Sequence, residues 1–260
     1  MAFNAGWAFG PATAGLLAKK SFTLLFIGDA ATSLLYGLVA WFALPAGSRG
    51  ARAGGSMLET LRVVRDDRRF RQVLFSSLAV GVVFVQVFST MSLLIAQSGF
   101  SPSMYGVLIS LNGALVVLCE LPLTTLTKRH PARRMMALGY VLTGIGFASN
   151  LLPRSLPLLV LTFVLFTLGE MVSMPVSGAY VADLAPAAER GLYMGTYGLV
   201  WSLAFVLGPS VGLLVYSANP VVLWGACGAF GLLAARIILA EPGHQPVAPV
   251  GRGAVPGVRF

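Results

Sequence analysis

The chain has 260 residues, 57% of them apolar and only 10% charged; no water-soluble fold of this length can bury that proportion of hydrocarbon. The formal charge of +9 would suit a nucleic-acid partner, but most of the cations stand in short connections between apolar runs, where they orient membrane helices. Composition therefore excludes a soluble enzyme or a nucleic-acid-binding module and points to a polytopic α-helical membrane protein.

Apolar runs long enough to cross about 30 Å of hydrocarbon predict eight membrane helices, at 2–18, 22–44, 73–96, 104–126, 135–152, 156–181, 193–216 and 220–239. The first is short and interrupted by Gly10-Pro11, a break that neighbouring helices can accommodate by re-satisfying the backbone. It resembles no secretory signal, because Lys19 and Lys20 follow the apolar run and no cation precedes it. Cys119 and Cys227 fall inside apolar runs and read as small hydrophobes.

Between the second and third runs, 45–72 reads as a cytoplasmic connecting loop. Within it the apolar residues Met57, Leu58, Leu61 and Val64 fit one face of a helix lying on the membrane surface. The chain thus divides into 1–44, a pair of helices from an N-terminal bundle; 45–72, the loop; 73–240, a six-helix bundle; and 241–260, a Gly- and Pro-rich tail predicted to be disordered. Alternate connections carry fifteen cations on one side and three on the other, the minority being Lys19, Lys20 and Arg154. The cation bias assigns both termini to the cytoplasm of a multi-pass protein in the cell (inner) membrane.

A duplicated segment organises the runs. Gly6 to Leu17, containing Gly10-Pro11 and Gly15, recurs as Ala204 to Leu214, containing Gly208-Pro209 and Gly212, at an offset of 198 residues from Gly10 to Gly208. Six spans lie between the copies, so both cross the membrane in the same direction, as parallel repeats do. Small residues four apart clear a helix face for close approach, and Pro removes a backbone hydrogen bond.

With Gly6, Gly10, Pro11 and Gly15, and again with Gly195, Gly208, Pro209 and Gly212, the chain resembles the major facilitator superfamily, in its drug:proton antiporter-like branch. Ala14 replaces one glycine of the branch's antiporter motif, and Ala204 and Leu213 depart from it in the second copy. The segment from Val64 to Phe70 resembles the end of that family's central loop. The segment from Ala182 to Gly191, with Asp183 and Arg190, resembles the connection before its penultimate helix.

The resemblance implies a partial twelve-helix fold in which the first run here is the fifth helix. It also implies proton-coupled efflux of small molecules by alternating access, with a missing N-terminal helix segment as a further partner. The alternative is a non-transporting remnant or an assembly partner of another membrane subunit.

Ionisable groups at membrane depth are costly and default to functional candidates. Asp29, Glu120 and Glu170 qualify, and Glu170, near the middle of its run, is the first candidate for proton coupling or substrate contact. Gln86, Asn112 and Tyr180 could line a cavity or hydrogen-bond between helices. His130 and His244 lie in solvent-facing stretches, and no nucleophile–base set or metal-ligand spacing accompanies them. The reading includes no enzyme activity, cofactor or metal; the partners are lipid, protons and a small-molecule substrate.

The topology is open to direct test. In a background lacking Cys119 and Cys227, the variant Arg52→Cys should resist a membrane-impermeant maleimide in intact cells and react after permeabilisation. Labelling in intact cells would invert the assigned orientation.

Overall fold

The computed structural model describes residues 21–43 and 57–240. The first expected run, with Gly6, Gly10, Pro11 and Gly15, and the tail expected to be disordered lie outside the described residues. Among the described residues there are nine α-helices: α1 Phe22–Ala43, α2 Met57–Asp66, α3 Arg68–Phe84, α4 Thr90–Gln97, α5 Pro102–Thr127, α6 Ala132–Ala148, α7 Leu156–Leu184, α8 Arg190–Ala218 and α9 Pro220–Leu239. Short 3-10 turns, Val85–Phe88 and Ser149–Leu151, follow α3 and α6.

Six of the expected membrane crossings are described at full spanning length and apolarity, in α1, α3 with its 3-10 turn, α5, α7, α8 and α9. The run expected at 135–152 forms α6, of 17 residues, which is shorter than the roughly 20 residues a straight crossing needs. At 29 residues each, α7 and α8 are about 43 Å long at 1.5 Å per residue. They overshoot the hydrocarbon and carry their ends into the interfaces. Helix ends fall a few residues outside the expected bounds because polar residues such as Arg190 and Asp183 continue the hydrogen-bonded turns beyond the apolar stretch.

Helix α6 is the hub of the bundle, packed against α7 and α9. Contact there is backbone to backbone. A methyl added to Gly231 would lie 2.7 Å from Cα of Gly144 and 2.7 Å from the Tyr140 carbonyl, and one added to Gly139 would lie 2.6 Å from the Gly169 carbonyl. Lipid tails are as apolar as Leu, so helices in a membrane gain from this closeness rather than from hydrophobic burial. Arg133, in the first turn of α6, clamps the far end of α9 by donating to the Ile238 carbonyl from Nε and Nη2 at 3.0 and 2.8 Å. That carbonyl belongs to the last turn of a helix, where partners within the helix are missing.

Two apolar clusters fill the interior. One, around Phe70, Met136, Tyr140, Tyr193 and Ile238, sits at the end that carries the basic connections. The other, around Phe84, Met91, Phe147, Phe163, Phe166, Tyr216 and Trp224, fills the remainder. By contrast α1 is exposed along its length, with Phe26, Tyr36, Trp41 and Phe42 all more than 70% accessible, as a helix solvated by lipid is.

The amphipathic turn expected at 57–64 is α2. Its Val63 and Val64 pack against the basic-end cluster, and Arg71 donates to the carbonyls of Val64 and Arg65, closing the helix's C-terminus. Asp67 joins three elements. Its Oδ1 accepts from the backbone N–H groups of Arg69 and Phe70, both at 2.9 Å, capping α3, and its Oδ2 accepts from the Tyr193 hydroxyl of α8 at 2.9 Å. The Tyr193 ring lies 4.3 Å from that of Phe70.

Loss of a cap and of a hydrogen bond to a charged group together cost about 2–4 kcal/mol. Asp67→Ala should therefore lower the detergent-solubilised unfolding midpoint. Asp66→Ala, which removes only the exposed pair with Arg65, should change it by less than about 0.5 kcal/mol. Equal effects in a thermal melt would show that Asp67 is not the tie between the elements.

Candidate functional site

The third expected run, 73–96, is not a continuous helix. It breaks at Val85–Phe88 into α3 and α4, although that tetrapeptide holds neither Gly nor Pro. A broken helix in hydrocarbon must find partners for the backbone groups it frees, and side chains supply several of them. Gln86, 1% exposed, donates from Nε2 to the Val82 carbonyl at 2.9 Å and to the Gly208 carbonyl of α8 at 3.0 Å. Thr90 donates to the Gln86 side-chain oxygen at 3.1 Å, and the Tyr105 hydroxyl of α5 donates to the Val87 carbonyl at 3.1 Å.

The second copy of the glycine-proline segment is the seat of this break. An added methyl at Gly208 would collide with Val85, and one at Gly212 would collide with the Gln86 amide. Pro209 sits inside α8 beside them. Gly195 stands apart: a methyl there meets nothing within 4 Å. Gln86 is thus an interhelical hydrogen-bond partner and not a cavity residue, while Asn112 occupies the cavity.

That cavity, about 210 Å³ in volume, opens next to the break at mid-bundle. From the broken helix it receives Phe84 and Phe88, from α8 Trp201 and Phe205, and from α7 Phe166 and Met174. The rings contact one another: Phe84 is edge-on to Phe88 at 5.9 Å and to Trp201 at 6.0 Å, and Phe88 stacks with Phe205 at 6.1 Å. Among the described residues, Asn112 of α5 and Glu170 of α7 are the polar side chains in its wall besides the Trp201 indole. Asn112 Nδ2 donates to Glu170 Oε2 at 3.1 Å and to Thr167 Oγ1 at 2.9 Å. Thr167 in turn donates to the Phe163 carbonyl at 2.6 Å, so the amide nitrogen of Asn112 is shared between Glu170 and Thr167.

The remaining candidates are dispersed. Glu120 lies nearer the basic end of α5 and is not among the residues that line the cavity. Asp29 is exposed on α1, and Asp183 and Arg190 are exposed at the adjoining ends of α7 and α8. Sequence reasoning missed the aromatic wall. Its signal was the four-residue spacing of Phe84 with Phe88 and of Trp201 with Phe205, which places each pair on one helix face.

Residues 87–258 match the sequence profile of the Major Facilitator Superfamily. The chain belongs to that superfamily. Among proteins similar to it are two uncharacterised MFS-type transporters of Bacillus subtilis strain 168. YttB is 27% identical over 217 residues, which are 82% of this chain and 54% of that protein; YqjV is 28% identical over 222 residues, 81% of this chain and 53% of that protein.

The MFS-type transporter YdeE of Escherichia coli K12 is 23% identical, covering 94% of this chain and 64% of its own length. The major facilitator fold is also shared with a solved POT-family transporter in complex with a thioalcohol-conjugated peptide. That structure is 13% identical, with a TM-score of 0.59, over 85% of this chain and 54% of that one. A solved peptide transporter POT is 19% identical, with a TM-score of 0.56, over 86% of this chain and 52% of that one. The chain spans about half the length of the Bacillus relatives it matches.

If the major facilitator bundle depends on the seat under Gln86, Gly212→Ala should cost about 1–3 kcal/mol by overpacking. Gly195→Ala should be neutral or slightly stabilising through helix propensity. Thermal melts of the two variants in detergent separate these outcomes.

Proposed function

We propose that the chain takes part in secondary active transport of a small molecule, as an exporter exchanging substrate for protons, with Glu170 as the group that carries the proton. The observation behind the reading is a carboxyl, held by one amide, in an otherwise apolar cavity at the middle of a transporter-type bundle. An ionisable group at that depth is costly, and such groups typically mark ion or substrate paths. To carry protons the carboxyl must alternate between charged and neutral forms, and Asn112 can serve both, by donating from Nδ2 to the anion and by accepting at Oδ1 from the acid.

Alternating access supplies the movement. In parallel-repeat transporters two bundles rock about a site near the midplane, and the cavity here lies beside α5 and α8. The drug:proton antiporter-like reading draws on the seat formed by Gly208, Pro209 and Gly212, where a proline-bearing helix packs tightly against a broken one. Cytoplasmic termini and an inner-membrane location follow from the cation bias in the connections.

A second reading has its own observation. Much of the apolar surface of α5 and α8 faces outward, including Val107, Leu118 and Leu121 on one and Leu199, Val206 and Leu214 on the other. These faces suit either lipid or a complementary helix bundle. The chain would then act as one half of an assembly, and transport would require both halves.

Reconstitution in proteoliposomes containing a pH-sensitive dye tests the main reading. Addition of substrate should release protons with the native chain, and Glu170→Gln should reduce the flux to background while still inserting and remaining monodisperse. Undiminished proton flux in that variant rejects the assignment. Flux that appears only when complementary helices are co-reconstituted selects the half-assembly.

A further inference from the structure

The elbow between α2 and α3 concentrates charge. Residues 62–71 carry five arginines, Arg62, Arg65, Arg68, Arg69 and Arg71, against two acids, Asp66 and Asp67, an excess of three positive charges. Both acids are already engaged: Asp66 pairs with Arg65 at 2.9 Å, and Asp67 accepts from two backbone N–H groups and from the Tyr193 hydroxyl. Arg71 turns back to close α2. Arg62 and Arg68 are exposed, and neither makes a hydrogen bond or an ion pair among the described residues.

These two guanidinium groups stand at a cavity of about 520 Å³ that opens to the surface where α2, α3 and the start of α8 meet. Its wall also includes Val63, Glu189 and Tyr193. Two helices of spanning length and apolarity, α3 and α8, begin beside it, so the cavity lies at the level where lipid headgroups meet hydrocarbon. Val63 and Val64 pack against the basic-end cluster, which holds α2 down at that level. A cluster of this many arginines next to a membrane helix attracts anionic lipid, and the guanidinium fork matches the paired oxygens of a phosphate.

We propose that the elbow cavity binds the phosphate of an anionic phospholipid, phosphatidylglycerol being the simplest example, with Arg62 and Arg68 as its charge partners. Glu189 shapes the choice of headgroup. It repels a second negative charge but accepts hydrogen bonds from the hydroxyls that a glycerol headgroup carries beside its phosphate. An ethanolamine ammonium would also suit Glu189, yet it cancels the charge that the arginine excess attracts. Seated there, the lipid joins the α2–α3 elbow to α8 on the same side as the hydrogen bond between Asp67 and Tyr193.

Equilibrium binding to the full chain in detergent tests the site without requiring transport. The probes are dihexanoyl phosphatidylglycerol, its phosphatidylethanolamine and phosphatidylcholine counterparts, and soluble glycerol 3-phosphate, each titrated by microscale thermophoresis below its micellar concentration. The phosphatidylglycerol should saturate with a Kd at least about tenfold below those of the two zwitterionic lipids, the scale of two arginines near a membrane surface. Glycerol 3-phosphate, which lacks the acyl chains, should bind more weakly still. The double variant Arg62→Gln with Arg68→Gln should lose the preference for phosphatidylglycerol. Lys128→Gln with Arg129→Gln, an equal loss of charge at exposed positions outside the cavity, should keep it.

Equal affinity for the anionic and zwitterionic lipids, or no saturable binding of any lipid, overturns the proposal on the native chain alone. So does an equal loss in the two double variants, which would reduce the effect to diffuse surface charge. Glycerol 3-phosphate binding as tightly as the lipid would make this a site for free phosphate and overturn the lipid assignment.

Discussion

In hydrocarbon no water is available to a backbone polar group, and that constraint decides what the break at Val85–Phe88 can be. The break exists because the amide of Gln86 and the hydroxyls of Thr90 and Tyr105 supply partners from α4, α5 and the broken helix itself, while the Gly208 carbonyl anchors the amide to α8. Interhelical hydrogen bonds in membranes are each worth only about 0.6–2 kcal/mol. Several must act together to hold an interrupted helix in one geometry. Where they do, the chain turns Phe84 and Phe88 together into the space between α5, α7 and α8, and the cavity follows from that turn.

The bundle is consequently built in two manners. On one side α6 meets α7 and α9 through glycines, with main chains so close that a methyl has no room at Gly144 or Gly231. Such contacts are short-range and steep, so they define a rigid back. On the other side the broken helix and α8 meet through large rings at centroid separations near 6 Å, around open volume that Ile109, Asn112 and Val116 of α5 help to line. Rings can tilt at small cost, and this face can adapt to an occupant while the glycine-packed back holds register.

Much of the fold was legible because lipid imposes a length on apolar runs: the 22–44, 156–181, 193–216 and 220–239 runs all became helices with ends shifted by a few residues. Glu170 was legible as a polar exception inside such a run, but the run alone did not separate a transport role from a hydrogen bond to a neighbouring helix, and the structure gives it such a bond from Asn112. The break was not. Val-Gln-Val-Phe carries no local breaker, and the carbonyl that fixes Gln86 lies 122 residues away, beyond any periodicity. The glycine-proline copy could be seen as a repeat, but its partner could not, because small residues announce proximity without naming what approaches. The aromatic wall was hidden for another reason: a Phe pair on an apolar helix reads alike whether it faces lipid or a cavity.

Charge bookkeeping sets what the cavity can tolerate. Among the three acids in the apolar runs, Asp29 is exposed on α1, and Glu120 lies outside the cavity wall, while Glu170 faces the rings. The hydrogen bond that Asn112 gives Glu170 is worth about 1.5–3 kcal/mol for a charged acceptor. Withdrawing a carboxylate from water costs several kcal/mol, so one amide leaves a deficit. A proton would remove the deficit by cancelling the charge, and this is why the carboxylate, the amide that holds it and the apolar wall have to be weighed together: each ring that excludes water raises the cost of the charge that the single amide offsets only in part.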